Sequence, residues 1–112
     1  MIRWPNIRAK EAESRMKTRE RILYKSLELF NELGEPNVTT LLISDELEIS
    51  PGNLYYHFKS KSDILINLFA WYENEMGALL EVPDGILDIE DQWFFLHLIF
   101  ETIAKYRFIY ND

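Results

Sequence analysis

Apolar residues recur at a helical period along most of this chain. In the first such stretch, apolar or small side chains follow one another at spacings of four, four and three: Ile22, Ser26, Phe30 and Leu33. This spacing keeps side chains on one face of an α-helix. Gly34 and then Pro36 come after them, as is typical where a helix ends. The pattern predicts a first helix over residues 18–33.

Two shorter helices are predicted next. Thr39 is of a residue type favoured as an N-cap, and it starts a second helix that ends near Leu47. A tight turn then leads to Ser50 and Pro51, and proline is favoured at the first position of a helix. The third helix is therefore predicted over residues 51–58.

The predicted third helix has two unlike faces. Leu54 and Phe58 are four residues apart and are expected to face the core. The remaining side chains would then point away from the core: Asn53, Tyr56 and His57, with Tyr55 at the edge.

Two longer helices complete the pattern. The sequence Ser-Lys-Ser-Asp at 60–63 matches a capping box and predicts a fourth helix over 61–81. A proline and an Asp-Gly pair predict a break at 82–85. A second capping signal at 88–91 predicts a fifth helix over about 89–106. No segment has a convincing strand pattern, so the predicted fold is all-α.

Composition narrows the possible chemistry. The chain has no cysteine and two histidines, and it lacks a Gly-rich phosphate loop, a nucleophile elbow and an HExxH motif. We therefore expect no metal, no cofactor and no enzymatic activity. The longest apolar run near the C-terminus, residues 93–96, is far shorter than the ~20 residues of a membrane span. We expect no membrane partner and a cytoplasmic location.

The charge is distributed unevenly. The whole chain carries a net charge of −7, but residues 1–30 carry a local charge of +4, against −4 for 31–65 and −7 for 66–112. Positive charge also occurs at Lys59 and Lys61. Because phosphate binding depends on the local electrostatic potential, an acidic C-terminal part is compatible with nucleic-acid binding by the N-terminal part.

The two short helices and the tight turn between them form a helix-turn-helix pattern. In such motifs the second helix enters the major groove, which is about 12 Å wide. The segment 39–61 (TTLLISDELEISPGNLYYHFKSK) resembles the TetR family of bacterial transcriptional regulators, most strongly at ISPGNLYYHF followed by KSK. Thr-Arg-Glu-Arg-Ile-Leu at 18–23 and Leu-Phe at 29–30, with Gly34, are similar to the family's first helix.

The resemblance implies a domain organisation. Residues 17–62 would form a three-helix DNA-binding domain, and residues 63–112 would form two longer helices of a truncated regulatory domain that binds an effector and dimerises. Residues 1–16 would precede both as an extension. That extension is either a frayed basic arm or an arm that touches a DNA groove through Arg8, Lys10 and Arg15.

The resemblance also implies DNA contacts. Eight residues correspond to positions at which the family approaches bases or contacts the sugar-phosphate backbone: Thr40, Pro51, Gly52, Asn53, Tyr55, Tyr56, His57 and Lys61. Three residues depart from the family pattern. Glu48 replaces the usual turn glycine and is expected to carry the cost of a left-handed conformation. Leu41 and Leu42 replace polar or basic residues and remove possible phosphate contacts.

The fifth helix is apolar almost all round, and such a helix needs burial. It is expected to pair with another copy or another partner. In the family this part binds a small-molecule effector, and the candidates for lining what remains of the pocket are Trp71, Trp93, Phe94 and His97. Alternatively, these side chains simply pack between helices four and five.

The sequence therefore predicts a ligand-responsive repressor that binds a palindromic double-stranded DNA operator as a homodimer. The alternative is a truncated interaction module that pairs through its aromatic helix and binds DNA poorly. The acidic balance, Glu48 and the two leucines favour that alternative.

Overall fold

The computed structural model describes residues 16–81 and 88–110, and every regular element among them is helical. In chain order the elements are α1 (Thr18–Leu33), a 3₁₀ turn (Glu35–Asn37), α2 (Thr40–Leu47), α3 (Pro51–His57), α4 (Lys61–Leu80), α5 (Ile89–Lys105) and a second 3₁₀ turn (Arg107–Tyr110). The all-α prediction is confirmed, and the predicted helix bounds are correct to within a residue. The predicted break at 82–85 and the proposed DNA-touching arm lie outside the described residues.

Side-chain caps start four of the helices. The side chains of Thr39, Ser50 and Ser60 accept hydrogen bonds from backbone N–H groups three residues on, at 3.1, 3.0 and 3.3 Å. Asp88 does the same at the start of α5, at 2.8 Å. Each bond satisfies an N–H group that has no partner within the helix, which fixes where the helix begins. The capping signals in the sequence are therefore confirmed.

The turn between α2 and α3 depends on a left-handed residue. Glu48 has φ 57° and ψ 39°, and within 16–81 and 88–110 no other residue except glycine has a positive φ. Its backbone N–H donates to the carbonyl oxygens at the end of α2, which closes the helix. A side chain in this conformation costs roughly 1–2 kcal/mol, so the turn is strained as the family resemblance implies.

Replacing Glu48 with glycine is expected to raise the free energy of unfolding by about 1 kcal/mol, because glycine adopts the left-handed conformation without steric cost. Urea unfolding followed by circular dichroism measures the gain. Glu48→Gln is the matched control, since it removes the charge but keeps the strained backbone. Equal stabilisation by both variants would show that the charge, and not the backbone, is responsible.

One hydrophobic core runs through the described residues. It is built from α1, α2, α3 and the first half of α4, and its most deeply buried apolar side chains are Ile22, Leu23, Phe30, Val38, Ile43, Leu54, Phe58, Ile64, Leu68 and Tyr106. Tyr106 and Phe108 come from the end of the chain, so the core crosses the predicted boundary at 62/63. That boundary stays a prediction.

The end of α5 is attached to α1 by Asn31. Its side-chain amide donates to the carbonyl oxygen of Lys105 at 2.7 Å and accepts from the backbone N–H of Phe108 at 2.9 Å. The Phe108 ring packs beside Phe30, with ring centroids 5.3 Å apart. One polar side chain of α1 therefore satisfies backbone groups at the C-terminal end of α5, where a helix leaves carbonyl groups without partners.

Tyr106, the C-cap of α5, and Tyr110, in the second 3₁₀ turn, connect this part of the chain to α4. The Tyr106 hydroxyl donates to Glu75 at 2.9 Å, and burial together with this carboxylate raises the pKa of Tyr106. The hydroxyl groups of Tyr72 and Tyr110 hydrogen-bond to each other, which raises the pKa of Tyr72. Both phenols therefore stay protonated at neutral pH, and the Tyr106 hydroxyl serves as the donor to Glu75.

The rest of α5 is only partly covered by the protein. None of its residues is fully buried, and large apolar side chains are exposed along it: Ile89, Trp93, Phe94, Leu96 and Phe100. Ile89, Trp93, Leu96 and Phe100 follow one another at spacings of four, three and four, which places them in one stripe along the helix. No helix in the described part of the chain is long and apolar enough to cross a membrane.

Candidate nucleic-acid interface

The short helix α3 is held by one face and offers the other to solvent. Leu54 and Phe58 are 2% and 1% exposed, as the sequence predicts. Asn53 is exposed, and the exposed fractions of Tyr55 and Tyr56 are 59% and 76%. Burial of the two anchors therefore fixes the helix while its opposite side is free to enter a groove.

An open groove of about 590 Å³ lies between α2, α3 and the start of α4. It includes five of the predicted DNA-contacting residues, Thr40, Pro51, Gly52, Tyr55 and Lys61. Asn53, Tyr56 and His57 lie on the same short helix outside the groove lining. A β-carbon added at Gly52 would come no closer than 3.9 Å to the Ser50 hydroxyl, so the surface above this glycine is open. The structure thus brings five of the eight predicted contacts together in the groove, and the DNA-contacting role of all eight stays a prediction.

Both exposed tyrosines of α3 contact a neighbouring side chain. The rings of Tyr56 and His57 meet edge to face, with centroids 5.0 Å apart, and His57 is half-buried. The Lys59 ammonium group lies 4.6 Å from the centroid of the Tyr55 ring and donates to the Tyr55 carbonyl oxygen at 3.1 Å. The sequence prediction missed Lys59 and Thr39 as parts of the groove lining. The four-residue spacing between Tyr55 and Lys59 could have indicated that Lys59 lies beside Tyr55 in the groove.

Lys61 lies in the groove but is engaged within the protein. Its ammonium group is 3.0 Å from the carboxylate of Glu35 and equally close to the carbonyl oxygens of Glu35 and Val38. The predicted phosphate contact of Lys61 is therefore not preformed in this structure.

The four effector-pocket candidates do not come together. Trp71 packs on Tyr24 of α1, with ring centroids 4.9 Å apart, while Trp93 and Phe94 are exposed. His97 pairs with the Glu101 carboxylate on its own helix at 3.0 Å. Among residues 16–81 and 88–110 they neither line a shared pocket nor pack as a set between α4 and α5. Their role in binding a ligand stays a prediction.

The paired helices α2 and α3, the tight turn between them and the exposed side of α3 define a helix-turn-helix protein. Residues 22–68 match the family described as bacterial regulatory proteins, tetR family, and residues 71–112 match the family TetR, described as a bacterial transcriptional repressor. The chain belongs to the TetR family.

Individual relatives agree with this assignment. The chain is 30% identical over 103 residues to the HTH-type transcriptional regulator AcrR of Shigella flexneri, across 88% of this chain and 47% of that protein. It is 32% identical over 84 residues to the uncharacterised HTH-type transcriptional regulator TtgW of Pseudomonas putida, across 75% of this chain and 60% of that protein. The chain thus spans about half the length of the curated relatives it matches.

A solved structure is similar throughout the matched region. The crystal structure of a TetR-family transcriptional regulator from Marinobacter aquaeolei VT8 superposes with a TM-score of 0.81 at 48% sequence identity. The match covers 87% of this chain and 48% of that one.

Proposed function

We propose that this chain binds duplex DNA sequence-specifically and regulates transcription. The observation that carries the proposal is the burial of Leu54 and Phe58 beside the exposure of Asn53, Tyr55 and Tyr56 on the same short helix. An asparagine amide can hydrogen-bond to base edges, and an aromatic ring can pack against thymine methyl groups. Thr40 and His57 would contact the sugar-phosphate backbone, and Pro51 and Gly52 would let the helix approach the bases closely.

A fluorescence-anisotropy titration tests this function. We expect the protein to bind the DNA that flanks its own gene at least about tenfold more tightly than a shuffled duplex of equal composition. Affinity should fall steeply with added salt, because phosphate contacts release counterions. Equal affinity for both duplexes would rule out sequence-specific recognition.

Asn53→Ala should reduce the preference for the native duplex over the shuffled one, because a base-edge hydrogen bond is worth about 1–3 kcal/mol of discrimination. Asn74→Ala is the matched control, since Asn74 is exposed on α4 and removed from α3. If the two variants discriminate equally well, Asn53 does not contact bases.

The proposal extends to a homodimer on a palindromic operator. Its support is the apolar stripe on α5, formed by Ile89, Trp93, Leu96 and Phe100, with exposed fractions between 44% and 73%. Spacings of four and three are those of the seam between two paired helices. Two copies would present two α3 helices to half-sites about one helical turn apart.

Light scattering at tens of micromolar protein is expected to give twice the 13.4 kDa mass of one chain. Trp93→Glu should halve that mass, because it places a charge in the middle of the stripe. Leu41→Glu is the control, since Leu41 is also exposed but lies on α2. A monomer at every concentration would contradict pairing through α5.

Repression relieved by a small-molecule effector is the remaining part of the proposal. Its support is the attachment of α5 to α1 through Asn31, because a ligand that displaces α5 would also disturb the helix that carries the DNA-binding unit. A ligand acts in this way only if it binds one of the two arrangements more tightly.

The exposed stripe on α5 also favours a second candidate function, a protein interaction module that binds DNA poorly. In that case light scattering would show the dimer while the anisotropy titration would show no preference for the native duplex. The two experiments together separate the candidates.

A further inference from the structure

Lys61 donates all of its hydrogen bonds to its own protein. Its Nζ lies 3.0 Å from each of three acceptors, the carbonyl oxygens of Glu35 and Val38 and the Oε2 atom of Glu35. An ammonium group has three N–H donors, so these acceptors use all of them. The side chains of Lys61 and Glu35 are only 30% and 27% exposed, which strengthens the ion pair relative to one in water.

These bonds join the two connections that flank the helix-turn-helix pair. Val38 is fully buried and directly precedes Thr39, the N-cap of α2. Lys61 is the first residue of α4 and follows closely after Phe58, the anchor of α3. The ammonium group therefore fixes where α2 begins relative to where α3 ends.

A phosphate contact would disrupt this arrangement. A phosphate oxygen would have to replace one of the three acceptors of Lys61, and it would then lie beside the Glu35 carboxylate, which repels it. A cation at the first position of a helix is also disfavoured by the helix dipole. The three acceptors around Nζ offset that effect in the free protein.

We propose that Lys61 is a positioning residue that sets the spacing of α2 and α3 on DNA and does not itself contact phosphate. The inference rests on the proposed DNA-binding function, and it replaces the phosphate contact that the family resemblance implies for this position. Glu35 contributes to the same positioning of α2 and α3, because it accepts a hydrogen bond from Lys61, although its negative charge would by itself weaken DNA binding.

The test compares Lys61→Met with Lys59→Met, which removes the same charge two residues away. Lys61→Met should lower the urea midpoint of unfolding by about 1 M, whereas Lys59→Met, which removes only an exposed contact with Tyr55, should lower it far less. DNA affinity is then measured by anisotropy at several salt concentrations, under conditions where circular dichroism shows each variant to be folded. We expect folded Lys61→Met to bind about tenfold more weakly, with the salt dependence of the wild type.

The slope of log affinity against log salt identifies the role. Loss of one phosphate contact would reduce the slope by about 0.9, whereas loss of positioning leaves it unchanged. A reduction of that size overturns the proposal. So does wild-type affinity in folded Lys61→Met, because the residue would then serve stability alone.

Glu35→Ala is a second, milder variant. Positioning predicts a lower urea midpoint and weaker DNA binding, even though a negative charge near the DNA is removed. Tighter binding by this variant overturns the proposal, since it would mean that Glu35 only restrains a phosphate-binding lysine. If the wild type binds no DNA, the proposed function fails. The urea midpoints of the two variants still show whether the Lys61–Glu35 contact orders the fold, and unchanged midpoints would exclude it.

Discussion

Replacing Phe58 with alanine is expected to remove about 3–5 kcal/mol from the free energy of unfolding. The ring is 1% exposed, and the guanidinium carbon of Arg19 lies 5.0 Å from its centroid. A domain of this size has a total stability of about 5–15 kcal/mol, so the variant would lose a large part of it. Urea unfolding followed by circular dichroism measures the loss, and DNA binding should disappear with the anchor of α3.

Tyr56→Ala is the matched control for that experiment. Tyr56 is 76% exposed on the same helix, so its removal should change stability by no more than about 0.5 kcal/mol. DNA affinity should nevertheless fall, because the side chain lies on the proposed DNA-binding side. Equal unfolding midpoints for the two variants would contradict the assignment of the two faces of α3.

Replacing Gly52 with alanine is expected to weaken DNA binding at least about tenfold, equivalent to about 1.4 kcal/mol. A methyl group at the start of α3 would separate the helix from the bases that it approaches. The fold itself has room for the group, because its nearest neighbour would be the Ser50 hydroxyl at 3.9 Å. Stability should therefore stay unchanged or rise by up to about 1 kcal/mol, since alanine is the better helix former.

Gly77→Ala provides the control for helix propensity. Gly77 lies inside α4, and a β-carbon there would meet no atom within 4 Å. This variant should gain about 1 kcal/mol of stability and keep its DNA affinity. Anisotropy titrations and urea unfolding of both variants separate the two effects. Wild-type affinity in Gly52→Ala would mean that the start of α3 does not closely approach DNA.

The sequence predicts the local features of this fold well. Helix bounds follow from periodicity and from caps such as Ser50 and Ser60, which act on N–H groups three residues away. Leu54 and Phe58 are buried because their four-residue spacing places them on one face. The strain at Glu48 was expected from the resemblance to the TetR family, in which this turn position is usually glycine, and the structure places Glu48 in the left-handed conformation.

Contacts between distant segments were not predictable. Asn31 is a polar residue near the end of α1 and has no periodic signal, yet its partners lie 74 and 77 residues further along the chain. The environment of Lys61 depends on carbonyl groups that the 3₁₀ turn at Glu35–Asn37 orients. Leu33 fits the apolar period but is 47% exposed, because helical spacing alone does not show how far the core extends.

The hydrogen bonds of Asn31 and the ring contact of Phe108 depend on the amino-acid sequence to different degrees. The Asn31 side-chain amide bonds to the backbone carbonyl at position 105 and the backbone N–H at position 108, and every residue type except proline at 108 supplies those groups. The ring of Phe108, in contrast, fits beside Phe30 through its shape. A chimaera that grafts another regulator's C-terminal half onto this N-terminal half could keep both hydrogen bonds with any residue except proline at position 108. The two halves of such a chimaera would move together only if position 108 carried an aromatic residue that packs beside Phe30.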